Sequence, residues 1–251
     1  MVEIFWSIVI FIFGLIAGSF LNCLIYRLET GRTFLQGRSF CPQCGHTLSW
    51  QDLIPVFSFL ILKGRCRYCQ KPISWQYPLV ELATGILFLL CFMFHVLCSM
   101  YIITCFLIII FVYDLKHYLI PDKVIYPAIL ISLLRLFLLG EDSPLPFLYA
   151  GLGAALFFFL IVFVSKGKWM GAGDIKLAFL IGLILGWPKI IVALFLAFFI
   201  GAAIGIILIM AGKKGLKSEV PFGPFLVGAT FLALFWGERI FNWYLTYFLL
   251  K

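Results

Sequence analysis

The chain has 251 residues, of which 64% are hydrophobic and 12% charged, and its mean hydropathy is +1.12. A soluble domain carries about a quarter charged residues and about half apolar ones, so these values exclude a water-soluble globule, a disordered chain, a coiled coil and a disulfide-rich secreted domain. Lys and Arg number 19 against 11 Asp and Glu, a formal net charge of +8. In so apolar a chain this excess of cations is used first to predict the orientation of the helices in the membrane. We expect no nucleic acid among the partners of the protein.

Four uncharged apolar runs, near 4–25, 82–113, 146–164 and 190–210, are long enough to cross a bilayer, because about 20 helical residues span ~30 Å of hydrocarbon. The runs are continuously apolar rather than alternating, which argues against a β-barrel. The first run is not expected to be a cleavable signal peptide, since no basic segment precedes it. The sequence predicts an all-α polytopic membrane protein with about eight transmembrane helices, near 4–25, 79–96, 98–114, 122–139, 146–165, 174–187, 190–211 and 223–249.

The distribution of Lys and Arg predicts the orientation of these helices. Residues 82–113 contain no charge and form either one tilted helix or two short helices. With two helices, fifteen cations face one side of the membrane, a strong positive-inside signal, and four face the other: Arg135, Lys189, Arg239 and Lys251. Both termini are thus expected outside, with residues 26–78 in the cytoplasm, where most of the cations would meet the headgroups of membrane lipids.

Residues 26–78 contain a duplicated cysteine motif. Cys-x-x-Cys, followed by four residues and Ser-Trp-Gln, occurs at 41–51 and again at 66–76, with 21 residues between the cysteine pairs. Two such knuckles facing each other place four thiolates around one ion, the tetrahedral arrangement of structural zinc. The expected ligands are Cys41, Cys44, Cys66 and Cys69. Since the loop has little core of its own, metal binding would supply much of its folding energy.

Other roles for the cysteines remain open. Two disulfides or a redox-active Cys-x-x-Cys are the alternatives, although a reducing cytosolic face and the duplication disfavour both. His46, beside the first knuckle, is an alternative ligand or simply a surface histidine. The cysteines in apolar helices are expected to be small buried hydrophobes: Cys23, Cys91, Cys98 and Cys105. The predicted domains are transmembrane helix 1 (1–25), a cytoplasmic cysteine-rich domain (26–78) and a seven-helix membrane domain (79–251).

Two of the aspartates lie at the expected membrane edge. Asp114 ends the third hydrophobic run in Tyr-Asp-Leu-Lys-His, and Asp174 opens the sixth helix in Gly-Ala-Gly-Asp-Ile-Lys. Either one alone is consistent with a helix-end charge, but ionisable groups bordering a span are functional candidates. Two carboxyl groups that share a site do not both ionise easily, so one stays protonated while the other activates water. Such a pair can hydrolyse a peptide bond without a metal or a covalent nucleophile.

Four further residues accompany the aspartates. Gly171 and Gly173 would let an extended substrate approach Asp174 closely, because neither carries a side chain. Asp122 follows Pro121 and has the position of a first-turn carboxylate. We assign Asp122 and Lys176 a supporting role in the same motif.

At these residues the sequence resembles the type IV prepilin peptidases, which are bifunctional leader peptidases and N-methyltransferases of pilus, type II secretion and competence systems. Each motif alone is weak, but their combination and order are specific. In chain order they are Gly18-Ser19-Phe20-Leu21-Asn22 with Arg27-Leu28, the two Cys-x-x-Cys pairs, Ile54-Pro55 with Ser58-Phe59-Leu60, Gly64-Arg65-Cys66, Tyr77-Pro78-Leu79-Val80-Glu81, Asp114 through Pro127, Gly-x-Gly-Asp at 171–174 and Pro221-Phe222-Gly223-Pro224-Phe225.

The resemblance implies an intramembrane aspartic protease of the Gly-x-Gly-Asp type in a bacterial inner membrane, with Asp114 and Asp174 as the catalytic pair. Its substrates would be prepilins or pseudopilins, cut after a glycine that joins a short basic leader to an apolar helix. The new amino terminus would then be methylated with S-adenosylmethionine. No Gly-x-Gly-x-x-Gly fingerprint marks a site for this methyl donor. Glu81, just inside a span, is the candidate contact or else a structural hydrogen-bonding group.

Three alternative functions are weighed against this one. A proton- or ion-coupled transporter would use midplane carboxylates, but these aspartates lie at one edge. A noncatalytic scaffold whose knuckles bind a partner would leave the paired aspartates without a role. A peptidase that lacks methyl transfer is the nearest alternative.

Overall fold

The computed structural model describes residues 2–32, 37–138, 143–212, 215 and 220–249. The regular elements of these residues are helices, and isolated β-bridges occur in place of strands. The helices are α1 (Val2–Glu29), α2 (Phe57–Ile61), α3 (Gln76–Met93), α4 (Ser99–His117), α5 (Asp122–Leu138), α6 (Leu145–Ser165), α7 (Ala172–Leu185), α8 (Lys189–Met210) and α9 (Gly223–Tyr244), with a 3-10 turn at Trp50–Leu53 and a π turn at Leu245–Leu249. Four cations of the charge count lie outside the described residues: Lys213, Lys214, Lys217 and Lys251.

The all-helical multi-pass fold is confirmed. A helix occurs at each of the eight expected positions, and the uncharged stretch 82–113 is divided between α3 and α4. Within the described residues, six helices are long and apolar enough to cross a membrane: α1, α3, α4, α6, α8 and α9. The other two, α5 with 17 residues and α7 with 14, are shorter. The apolar side chains of α7 pack against other helices.

The first compact unit comprises Met1–Ile109, in which α1 packs along α3. Glycines bring the two backbones together, as is common between membrane helices, where close van der Waals packing replaces the hydrophobic driving force. A Cβ at Gly18 would lie 2.6 Å from the Cα of Glu81, and one at Gly14 would lie 2.8 Å from the Cα of Gly85. Residues 30–75 connect these two helices, and the structure describes 30–32 and 37–75 of this loop.

The second compact unit comprises Ile110–Lys251, and α7 is its central helix. Helices α5, α6, α8 and α9 contact α7, and the side chains from Leu180 to Leu185 are buried. A Cβ at Gly182 would collide with the backbone of Gly151 on α6, so the two glycines bring the backbones of α6 and α7 into close contact. Because α7 is enclosed by protein, it does not need the length of a lipid-facing span.

Arg135, a buried cation on α5, holds the carboxyl end of α7. Its guanidinium donates hydrogen bonds to the carbonyl oxygens of Leu183 at 3.0 Å and Ile184 at 3.5 Å, and it lies 5.4 Å from the ring centre of Phe147. The last carbonyls of a helix lack partners within the helix and carry the negative end of its dipole. A cation at this position therefore stabilises α7 and, through it, the position of Asp174 at the other end.

We expect Arg135→Met to destabilise the second unit by about 2 kcal/mol, because charged hydrogen bonds to buried carbonyls are lost. Thermal unfolding of the purified protein in detergent would show a lower midpoint than for the wild type. Arg239→Met, which removes an exposed cation, is the matched control and should leave the midpoint unchanged. Equal midpoints for the two variants would contradict the proposed role of Arg135.

Candidate active site and metal centre

Asp114 lies in the last turn of α4, with 5% of its surface exposed. Its carboxylate accepts a hydrogen bond from the backbone N–H of Gly223, the first residue of α9. A Cβ at position 223 would collide with Asp114 Oδ2. The carboxylate thus lies against the positive amino end of α9, which stabilises negative charge, and only glycine at 223 leaves room for it.

Asp174 lies in the first turn of α7, with 9% of its surface exposed. Its Oδ2 accepts a hydrogen bond from the N–H of Gly171 at 3.2 Å, and its own N–H donates to the carbonyl of Gly171 at 3.2 Å. A carboxylate in the first helical turn that reaches back to an unpaired N–H is a known stabilising cap. Asp174 is therefore fixed at the amino end of α7 by the Gly-x-Gly-Asp motif itself.

The two aspartates converge. Their carboxyl groups interact electrostatically, although Asp114 ends α4 and Asp174 begins α7. The turn between α4 and α5 also reaches this point, because a Cβ at Gly173 would lie 3.2 Å from the Cβ of Ile120. Two nearly buried carboxyl groups in electrostatic range of each other, each held by a glycine N–H, are therefore the candidate catalytic pair.

Asp122 and Lys176 form an ion pair at 2.6 Å. Asp122 begins α5 and Lys176 lies in the first turns of α7, so the pair links the starts of these two helices. The Lys176 ammonium also lies 4.9 Å from the ring centre of Tyr126. Both charged side chains are partly exposed, which distinguishes them from the nearly buried aspartates.

The two cysteine knuckles have the same backbone geometry. The N–H of Cys41 donates to His46 O, and the N–H of Cys66 donates to Lys71 O, each at 2.9 Å. Corresponding β-bridges close both knuckles, and the residue after the second cysteine of each has positive φ. The duplication in the sequence is therefore a duplication of structure.

The knuckles face each other and bring four sulfur atoms together. The Sγ atoms of Cys41, Cys44, Cys66 and Cys69 all lie within 4.8 Å of one another. Tetrahedral zinc, with Zn–S bonds of about 2.3 Å, requires sulfur atoms about 3.8 Å apart, and the Cys41–Cys69 distance is 4.0 Å. A disulfide needs about 2.05 Å, and all four cysteines are free thiols. The cluster therefore fits a single metal ion of the zinc type.

The environment of the thiols favours ionisation of one of them. Burial raises the pKa of the Cys41 thiol to about 11. Burial also opposes ionisation of Cys66, but the N–H groups of Cys69 and Tyr68 and the neighbouring thiols outweigh it and lower the pKa of Cys66 to about 7. One thiolate is available near neutral pH, and a metal ion that binds there displaces the remaining protons.

Asp52, which sequence inspection did not single out, links the two knuckles. Its buried carboxylate accepts hydrogen bonds from Ser49 Oγ at 2.8 Å, Arg67 Nε at 2.8 Å and Tyr68 OH at 3.2 Å. Burial opposes its charge, but the Ser49 and Arg67 donors hold the pKa of Asp52 below its usual value. The His46 ring packs against Tyr68, with ring centres 3.7 Å apart and planes inclined by 34°, and His46 does not belong to the sulfur cluster described above.

Glu81 is buried where α1, α3 and the loop meet. Its Oε2 accepts the N–H of Val56 at 2.7 Å, and Ser19 also hydrogen-bonds to it. Val56 has φ 62° and ψ −49°, a strained conformation for a β-branched residue, within a γ-turn closed by Phe57 N–H and Pro55 O at 2.6 Å. Glu81 thus holds the loop backbone against the membrane helices.

Two residues of these sites could not be assigned a role from the sequence alone. Gly223 belongs to one of the motifs that carry the family resemblance, but no local sequence pattern connects it with Asp114 on a distant helix. Asp52 precedes the second knuckle and has no characteristic spacing from it. The prediction of four small buried cysteines holds for Cys91, which is buried, whereas Cys23 and Cys105 are only partly buried. It is wrong for Cys98, which lies in the turn between α3 and α4 and is exposed.

Comparison with known proteins gives consistent matches. The family model "Bacterial Peptidase A24 N-terminal domain" matches residues 12–95, and "Type IV leader peptidase family" matches residues 101–206. The first match contains all four cysteines of the cluster, and the second contains Asp114 and Asp174.

Relatives named prepilin leader peptidase/N-methyltransferase cover most of the chain. The Bacillus subtilis protein is 36% identical over 94% of this chain and 97% of the relative. The Aeromonas hydrophila protein is 33% identical over 96% and 94%, and the Myxococcus xanthus protein is 34% identical over 85% and 67%. No solved structure matches the chain. The chain belongs to the type IV leader peptidase family, as an all-helical, multi-pass membrane member with a four-cysteine cluster between its first two long helices.

Proposed function

We propose that this protein removes the leader peptide from type IV prepilins or pseudopilins and then methylates the new amino terminus. The observation that carries the proposal is the convergence of Asp114 and Asp174 at adjoining helix ends. Relatives that match the chain along most of its length are named for both activities. The alternative functions, a transporter or a scaffold, do not explain why two carboxyl groups are nearly buried and each accept a hydrogen bond from a glycine N–H.

The carboxyl pair performs the hydrolysis. The ionised member takes a proton from a water molecule as that water attacks the scissile carbonyl, and the protonated member donates its proton to the carbonyl oxygen. When the tetrahedral intermediate collapses, the departing amine takes the proton that came from the water, and one hydroxyl of the intermediate returns a proton to the other carboxylate, which restores the starting pair. The N–H groups of Gly171 and Gly223 orient the two carboxylates, so that the reacting oxygens face the substrate rather than the helices.

The supporting ion pair fixes the start of α7. Lys176 and Asp122 join the first turns of α7 and α5, and Asp174 lies two residues before Lys176 on the same helix. Movement of this turn would shift Asp174 relative to Asp114. The pair is therefore a positioning element, which acts on the reaction through the carboxylate and not by direct contact with substrate.

The substrate enters from the cytoplasmic side of a bacterial inner membrane. A prepilin has a basic leader before an apolar helix, so its scissile bond arrives where hydrocarbon meets water. The charge distribution orients both termini of this chain outward and the cysteine loop toward the cytoplasm. Asp114 at the end of α4 and Asp174 at the start of α7 then lie at the cytoplasmic edge.

Zinc is the proposed metal of the cysteine cluster. Four thiolates with no open coordination position are typical of a structural zinc site, and sulfur atoms that all lie within 4.8 Å of one another suit it. The hydrogen bonds of Asp52 and the turns of the two knuckles also hold the four cysteines in place. The metal's role is to fold residues 38–75 and to fix them beside the membrane.

S-adenosylmethionine is the proposed methyl donor, and it supplies an electrophilic methyl group when bound. Glu81 is the candidate contact to this cationic donor. Its carboxylate accepts hydrogen bonds from Val56 and Ser19, which hold it at the junction of the loop and the helices and leave further acceptor sites.

The proposed function is tested by incubating the purified protein with a prepilin and isotope-labelled S-adenosylmethionine. Mass spectrometry should show loss of the leader and one labelled methyl group on the new amino terminus. Cleavage without label would identify a peptidase that lacks methyl transfer. An intact prepilin would reject the proposal.

We expect Gly223→Ala to lower kcat for leader cleavage by roughly a hundredfold, because a displacement of about 1 Å at a catalytic group has effects of this size. The added Cβ would occupy the position of Asp114 Oδ2, whereas KM should change little. Gly228→Ala on the same helix is the matched control, since a Cβ there meets no atom within 4 Å. Equal kcat for both variants in a prepilin cleavage assay would show that Gly223 does not position Asp114.

A further inference from the structure

Helix α2, in the loop between α1 and α3, exposes its apolar face. Phe57, Leu60 and Ile61 have the i, i+3, i+4 spacing of one helical face, and their exposed fractions are 61%, 61% and 74%. Phe59, on the other side, is buried. A helix of a water-soluble domain buries its apolar face, so this arrangement indicates that something apolar covers α2.

Trp75 places this face at a membrane boundary. It is 68% exposed and immediately precedes α3, which is long and apolar enough to cross a membrane. The exposed residues Leu79, Leu82 and Ile86 follow it at steps of four, three and four along one side of α3. That side faces lipid when α3 spans a membrane, and Trp at the end of a span lies at the headgroup level.

A direct contact brings α2 to the same depth. The rings of Phe59 and Trp75 lie 4.9 Å apart, in the range of a packed aromatic pair. Because Phe59 faces Trp75, and Trp75 marks the end of the span, α2 lies beside the headgroup layer. The opposite face of α2, with Phe57, Leu60 and Ile61, is then free to enter the boundary between headgroups and acyl chains.

The charges around α2 select the type of lipid. Exposed Lys63 and Arg65 follow the helix directly. The acidic groups of this part of the chain are internally engaged, because Asp52 pairs with Arg67 at 2.8 Å and Glu81 holds Val56. Cations beside an exposed apolar face are typical of segments that bind anionic lipid surfaces.

We propose that the interfacial patch, formed by Phe57, Leu60, Ile61 and Trp75, inserts into an anionic lipid surface at the end of α3. This contact anchors the cysteine loop to the membrane at a second point, besides its covalent links to α1 and α3. The proposal is independent of the catalytic assignment, since none of these four residues belongs to the proposed carboxyl pair.

Photocrosslinking of the full-length protein in nanodiscs tests the proposal. A photoreactive p-benzoylphenylalanine replaces Ile61, and the discs contain phosphatidylcholine with or without phosphatidylglycerol. We expect a lipid adduct at position 61, found by peptide mass spectrometry, with a higher yield when phosphatidylglycerol is present. The same replacement at Leu82 is the positive control for lipid contact, and at Gln43, exposed on the first knuckle, the negative control.

An adduct between position 61 and another protein chain would overturn the proposal. So would the absence of a lipid adduct at position 61 when the photoreactive residue at position 82 does react with lipid. Equal yields in the two kinds of disc, or an unchanged yield after Lys63→Gln and Arg65→Gln, would reject the choice of an anionic surface. Amide hydrogen exchange of the unmodified protein is the second measurement: exchange across residues 57–62 should be slower in discs with phosphatidylglycerol, and equal rates would contradict the proposal.

Discussion

We expect Asp114→Asn and Asp174→Asn each to lower the rate of leader cleavage by at least about a thousandfold, which lies within the range of roughly a hundred- to ten-thousandfold for general acid–base catalysis. Asparagine has nearly the same shape as aspartate and its amide oxygen can still accept the hydrogen bond from Gly223 or Gly171. It can neither take a proton from water nor give one to the substrate. The loss would therefore be chemical rather than structural.

The measurement is cleavage of a purified prepilin, followed by mass spectrometry across time. Glu238→Gln is a suitable control, because Glu238 is exposed and pairs with Lys189 at the other end of the unit's helices. Asp122→Asn should give an intermediate loss, since Asp122 acts through Lys176 and the start of α7. Near-normal cleavage by either Asp114→Asn or Asp174→Asn, with protein correctly inserted, would refute the proposed carboxyl pair.

The second large effect is expected from Cys41→Ser, which should remove the metal and loosen residues 38–75. A structural zinc site of four thiolates loses most of its affinity when one ligand is replaced, and the loop has almost no apolar core to replace that stabilisation. Of the residues in this loop, Phe59, Cys41 and Cys66 are the buried apolar ones. The metal site and the Asp52 hydrogen bonds therefore carry the loop's structure.

Metal content is measured by elemental analysis of the purified protein, and loop structure by limited proteolysis. Cys98→Ser removes a thiol outside the cluster and should change neither quantity. Equal metal content in the wild type and Cys41→Ser would disprove ligation by Cys41. Loss of metal without faster proteolysis would show instead that the loop is held by its contacts to α1 and α3.

Helix positions were predictable because apolar runs and charges are local properties of the chain. The division of the uncharged stretch into α3 and α4 followed from the charge count and is confirmed. The cysteine cluster was predictable for a different reason, since its spacing is repeated and tetrahedral ligation requires four sulfur atoms. The central position of α7 was not predictable: its sequence is as apolar as that of a lipid-facing helix, and composition does not distinguish protein neighbours from lipid.

By itself, the sequence determined the class of the molecule: a multi-pass helical protein with a duplicated metal-binding loop and two aspartates at helix ends. Only the tertiary structure decided which distant groups meet. Gly223 contacts Asp114 because α9 begins where α4 ends, and Arg135 reaches the carbonyls of α7 because α5 packs beside it. Hydrogen bonds and close contacts depend on the distance between two groups in space. Helix packing sets this distance, and the separation of two residues along the chain does not predict it.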